Sequence, residues 1–72
     1  MKITYDKEAD ALYMYLSRGK IKKTVEINSR VLIDVGEEGN VIGVELLFVS
    51  ERIPKNKIAS LVRSLPGATV FQ

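Results

Sequence analysis

Apolar and polar residues alternate along most of this chain, and the period changes only near its end. Ile3 and Tyr5 alternate with Lys2 and Thr4, which predicts a short first strand. Residues 11–16 predict a second strand that is apolar on both faces, with Leu12, Met14 and Leu16 on one and Tyr13 and Tyr15 on the other. From Ile21 to Val35 the odd positions Ile21, Val25, Ile27, Val31, Ile33 and Val35 are apolar, interrupted only by Lys23 and Ser29, while the even ones are polar except Leu32. Because the phase never breaks, this stretch reads as one long strand or two collinear ones bent at Asn28-Ser29-Arg30. Val41–Val49 predicts the last long strand. The intervening turns are Asp6–Asp10, Ser17–Lys20 and Gly36–Gly39.

Pairing must match apolar with apolar, because a one-residue slip turns every side chain to the other face. A four-residue loop over Gly36–Gly39 then sets Ile33 opposite Ile42, Val31 opposite Val44 and Ile27 opposite Phe48. It also sets Arg30 opposite Glu45, a cross-strand charge pair worth roughly 0.2–1 kcal/mol. The Ser17–Lys20 turn similarly pairs Leu16 with Ile21 and Leu12 with Val25, leaving Tyr13 and Tyr15 facing Thr24 and Lys22. At Pro54 the period becomes helical: Ile58, Leu61, Val62 and Leu65 recur at i, i+3, i+4 and i+7, and Pro66-Gly67 ends the run. A helix over about 54–65 is too short to stand alone in water, so its stripe must lie on the sheet or on a partner. The expected fold is α+β, an antiparallel β-meander of about four strands over residues 1–50 with one C-terminal α-helix. Residues 1–72 form one domain, with 68–72 unassigned.

Composition sharpens this picture. Ordering 72 residues costs on the order of 110 kcal/mol at roughly 1.5 kcal/mol per residue, which so small a core barely offsets. With no Cys and no His, disulfides, Cys/His zinc sites, Ser-His-Asp triads and thiolate nucleophiles are excluded. Self-association is the remaining support. The net charge of +2 is weak encouragement for nucleic acid. No apolar run reaches membrane-spanning length. Met1-Lys2-Ile3-Thr4 passes into a charged stretch, which predicts a cytoplasmic protein.

The segment Tyr5-Asp6-Lys7-Glu8-Ala9-Asp10-Ala11-Leu12-Tyr13, then Asp34 before the Gly39 turn, then Gly43-Val44-Glu45-Leu46, resembles a family of short prokaryotic proteins. That family is a domain of unknown function, DUF family 2283. The resemblance covers about residues 1–50, with Met14 where the family has an aliphatic residue, and the helix from Pro54 lies outside it. It implies a compact, mostly β domain without an established enzymatic activity. Some relatives are encoded beside small toxin-like ribonuclease genes and are proposed antitoxins, so the resemblance implies a toxin as one kind of partner.

Three constellations could carry chemistry. Asp6, Glu8 and Asp10 alternate as Mg²⁺ or Ca²⁺ ligands would, but Ala11 and Ser17 occupy the glycine and twelfth-position acid of an EF-hand. The expectation is that Asp6 and Asp10 bond turn amides, with Glu8 solvated. Asp34 and Glu45 fall on one face near one hairpin. A catalytic dyad there needs one raised pKa, and a salt-bridge or turn-cap role is expected instead. Arg18, Lys20, Lys22 and Lys23 lie near Tyr13 and Tyr15, a pattern that can follow a phosphate backbone with base stacking. Lys55, Lys57 and Arg63 would widen that patch if the helix lay beside it. Lysines also guard exposed edges against aggregation.

The leading expectation is a homodimeric protein-interaction module, antitoxin-like toward a partner protein, with no cofactor and no enzymatic activity. The alternatives are a weak nucleic-acid binder and a carboxylate-based metal or small-ligand binder. The expected interface is the sheet face carrying Tyr13, Tyr15, Leu32, Val41 and Leu47 around Arg30, Thr24 and Glu45, with the helix covering the opposite face.

Overall fold

The computed structural model describes residues 2–71. Six strands run β1 (Lys2–Asp6), β2 (Ala11–Tyr15), β3 (Ile21–Asn28), β4 (Val31–Gly36), β5 (Val41–Leu47) and β6 (Thr69–Phe71). A 3₁₀ turn (Val49–Glu51) and helix α1 (Lys55–Arg63) lie between β5 and β6. The sheet order is β3-β4-β5-β2-β1-β6, antiparallel except for the β1–β6 pair. The α+β class and the C-terminal helix are as expected from the periodicity. The sheet has six strands rather than about four, and its order is not a simple meander.

Three local expectations are corrected. Residues 21–35 are not one bent strand but a hairpin, reversing between Asn28 and Val31, with the Arg30 amide donating to Asn28 Oδ1 at 2.8 Å. A two-residue reversal alone would set Val25 opposite Asp34; an extra residue at Ile27 restores the parity, so Val25 lands opposite Ile33 and periodicity alone cannot reveal the fold-back. Second, β2 pairs with β5 rather than β3: Leu12 faces Leu46, Met14 faces Val44 and Tyr15 faces Gly43. Alternation determines the face a side chain occupies, and several strands satisfy it equally as neighbours. Third, the β4–β5 loop has three residues, closed by Gly36 N–H to Asn40 O at 2.8 Å. An extra residue at Ile42 then restores the parity that such a loop would break. Ile33 therefore faces Val44, Leu32 faces Glu45, and Val41 faces Val35 on the helix side of the sheet. Arg30 is not opposite Glu45; it lies in the β3–β4 turn and pairs with Glu51.

Helix α1 buries Ile58, Ala59 and Val62 against the β1–β6 end of the sheet. Tyr5 is fully buried there, surrounded by Ile3, Leu12, Val49, Ala68 and Val70. The helix ends at Arg63, short of the expected 65, and does not cover the whole face: Leu61 on the helix and Leu65 just beyond it remain 54% and 44% exposed. Among the described residues, no helix is long and apolar enough to cross a membrane.

Candidate functional site

Two polar ties organise the molecule. The first crosses the sheet on the face away from α1. Tyr13 of β2 leans over Gly43 of β5, and its hydroxyl donates to Asp34 Oδ2 of β4 at 2.5 Å. Asp34 Oδ1 accepts from the Thr24 hydroxyl of β3 at 2.6 Å. One tyrosine and one carboxylate thus link four adjacent strands. The ring can lie so low only because residue 43 lacks a side chain; a Cβ there would come within 2.6 Å of Tyr13 Cζ. Burial, followed by the hydrogen bond and negative charge of Asp34, holds the Tyr13 hydroxyl well above its ordinary pKa.

The second tie joins the β1–β2 turn to the 3₁₀ turn. Asp10 sits at φ +55° and accepts from the Tyr5 hydroxyl at 2.7 Å. It also accepts the Ser50 amide at 3.0 Å and the Ser50 hydroxyl at 2.6 Å. Burial opposes ionisation of Asp10, but the Ser50 hydroxyl, Tyr5, the Ser50 amide and the charge of Lys55 outweigh it and lower its pKa. Burial and the same hydrogen bond push the Tyr5 hydroxyl up to about 12.

Beside the first tie, on the same face, an open groove of about 670 Å³ is lined by Lys2, Tyr13, Tyr15, Arg18 and Ile21 among others. The Tyr13 and Tyr15 ring centroids are 4.5 Å apart, and Lys2 Nζ lies 5.4 Å from the Tyr15 ring centre.

The sequence candidates distribute as follows. Asp6 Oδ1 accepts the Glu8 and Ala9 amides at 3.0 and 3.1 Å, an Asx turn as expected. Asp10 serves a remote segment rather than its own turn. Among the described residues, no three acidic side chains converge as metal ligands would. Asp34 and Glu45 share a face as diagonal neighbours, since Asp34 faces Gly43 and Glu45 faces Tyr13 and Leu32. Asp34 is engaged by two hydroxyls rather than by a partner carboxylate. Tyr15 and Leu47 share the Tyr13 face, and Leu47 stands opposite Ala11. Arg18 reaches the groove, and Lys20 lines a neighbouring depression with Glu37 and Glu38. Lys22 and Lys23 sit on the edge strand β3. Lys55, Lys57 and Arg63 ride on α1, which covers the opposite face, so the helix does not widen the patch. Sequence reasoning missed Tyr5, Ser50, Lys2 and Gly43. The Tyr13–Gly43 contact had a signal: a glycine inside a strand often marks close approach by another group.

Residues 2–50 match the family described as Protein of unknown function (DUF2283). The chain belongs to that family. The DUF2283 span contains every member of both ties, from Tyr5 to Ser50, while α1 and β6 lie beyond it. The chain is 43% identical over 51 residues to an uncharacterized protein of Methanocaldococcus jannaschii. It is 29% identical over 51 residues to a Methanosarcina mazei protein named "Putative hypoxanthine phosphoribosyltransferase". Each match covers 71% of this chain, but only 43% and 41% of those relatives, so the chain spans less than half of either. No solved structure matches the chain.

Proposed function

We propose that this domain is a protein-interaction module that self-associates as a homodimer. The observation that supports the reading is surplus surface. The chain exposes 5060 Å². A compact monomer of 8.1 kDa is expected to expose about 4,500 Å² from size scaling. The Cα radius of gyration, 12.5 Å, likewise exceeds the roughly 11 Å expected for this length. Much of the surplus is apolar: Leu16, Ile21, Ile27, Phe48 and Leu61 are all about half exposed. A second subunit that covers part of this surface supplies the core that one copy lacks. Light scattering at micromolar concentration tests this: twice 8.1 kDa is expected, and a monomer at all concentrations rejects the reading.

A toxin-like protein, implied by the family resemblance, is the foreign partner proposed for the module, and co-expression with a neighbouring ribonuclease-like gene product tests it. Formation of a stable complex that silences the ribonuclease is the expected result. The cysteine-free chain suits a reducing compartment, and the proposed setting is the cytoplasm. The phosphoribosyltransferase name is not carried over, because most of that relative lies outside the match.

A second reading, weak nucleic-acid binding, is supported by the groove in which Lys2 and Arg18 flank Tyr13 and Tyr15. A salt-sensitive mobility shift with single-stranded oligonucleotides, lost in Tyr15→Ala, tests it.

A further inference from the structure

Resting on the homodimer proposed above, we infer that the second copy docks on the helix side of the sheet. There the outer edge of α1 from each subunit lies over the bare strands β3–β5 of the other. The two faces of the sheet differ in what docking would cost. On the face away from the helix, Glu26, Asp34 and Glu45 stand among the tyrosines, and covering them would desolvate carboxylates at several kcal/mol each unless partners were supplied. On the helix side β3–β5 and the adjoining Met14 of β2 present Val25, Val31, Ile33, Val44 and Leu46 in register; the charged exception is Lys23, opposite Val35, whose long stem can carry its ammonium out to water.

That apolar surface is half covered. Helix α1 meets β1, β6 and the 3₁₀ turn, and leaves β3–β5 without an overlying layer. Two depressions of about 300 Å³ each, one between helix and sheet and one beside the 3₁₀ turn, join through Leu46, Val49 and Ile53. The one under the helix is lined by apolar side chains alone. Phe48, held at φ +55° and 48% exposed, stands at the other, where Arg30 and Arg52 form a charged rim. A buried apolar centre with a charged rim is the usual anatomy of a protein interface.

The occupant is identified by size and symmetry. Three strands at about 4.8 Å spacing present a width of roughly 10–14 Å, room for one helix of about 10 Å diameter. The helix at hand with an apolar edge to spare is α1, whose Leu61 is 54% exposed where it borders the depression over Met14 and Leu46. A two-fold axis lets both subunits make this exchange at once, as an isologous interface requires. The surface excess of about 550 Å² per subunit over the size-scaling value approaches the roughly 800 Å² per partner of a standard interface.

The test is the solution mass of the wild type, Leu61→Glu, Val25→Glu and Tyr15→Glu, each with its fold checked by circular dichroism. Leu61, Val25 and Tyr15 are 54%, 37% and 43% exposed, so the substitutions leave the monomer's own core intact. The expected result is a wild-type dimer, a dissociation constant raised by more than about tenfold in Leu61→Glu and Val25→Glu, and no change in Tyr15→Glu. A wild-type monomer rejects the dimer itself. A dimer that only Tyr15→Glu dissociates keeps the dimer and overturns this face. Since the chain has no cysteine, Leu61→Cys and Val25→Cys chains mixed under mild oxidation provide a second reading. They should form a disulfide-linked pair between subunits, and its absence overturns the arrangement.

Discussion

The ring of Tyr13 lies across Gly43 on the adjacent strand, so closely that any side chain at position 43 would occupy the space of the ring. This contact carries the tyrosine hydroxyl past β5 to Asp34 and fixes which strand stands beside β2. Gly43→Ala should therefore cost about 1–3 kcal/mol by overpacking. Removing the ring in Gly43→Ala/Tyr13→Ala should recover part of that loss, so the two effects should not add in urea denaturation. Additive losses would show that the ring and the glycine act independently.

Asp10 joins the β1–β2 turn to the 3₁₀ turn, and its removal leaves the hydroxyl of the buried Tyr5 without its acceptor. Asp10→Ala should destabilise by about 2–4 kcal/mol, well above a surface substitution. Because its folded pKa lies below the unfolded value of about 3.9, Asp10 contributes stability above that pH and loses it as pH falls through the folded pKa. The melting temperature of the wild type should thus fall below about pH 4 more steeply than that of Asp10→Asn.

Tyr5, which is buried, and Tyr13, which is half-buried, act at the alkaline end. The Tyr5 pKa is raised to about 12 and that of Tyr13 also upward, so both favour the neutral form in the folded state. Their contribution is complete below the unfolded value of about 10 and is lost as pH rises toward the folded values. Unfolding free energy should decline between about pH 10 and 12, and the slope should shrink in Tyr5→Phe and Tyr13→Phe.

Asp6 closes the β1–β2 turn by accepting two amides, so Asp6→Ala should cost about 0.5–2 kcal/mol, as for other backbone-capping side chains. Millimolar Mg²⁺ or Ca²⁺ should leave the melting temperature unchanged. A rise of several degrees that disappears in Asp6→Ala would overturn the turn-closing role.

How far the sequence could be read follows from what each signal encodes. The strands at Lys2–Asp6, Ala11–Tyr15 and Val41–Leu47, the helix and the faces of Leu12, Tyr13, Ile33 and Glu45 were legible because side-chain period is a local property of the backbone, whereas the β3–β4 reversal and β6 were not. The Asx turn at Asp6 was legible for the same reason. Arg30 shows the limit: charge complementarity with Glu45 argued for one register, yet the turn at Ser29 took Arg30 out of the strand and toward Glu51. The Asp10–Ser50 tie spans forty residues, and no local pattern marks its two ends as neighbours.

By itself, then, the sequence determined the α+β class, the alternating faces, the position of the helix and membership of the DUF2283 family. Tertiary structure alone decided that β3 folds back onto β4, that β5 inserts beside β2, and that α1 covers one end of the sheet and leaves the rest bare. The physical reason is that alternation says which way a side chain points and is satisfied by many strand orders. The order is chosen by contacts between distant residues, such as a tyrosine that fits only over a glycine and a carboxylate that collects hydroxyls from strands on either side.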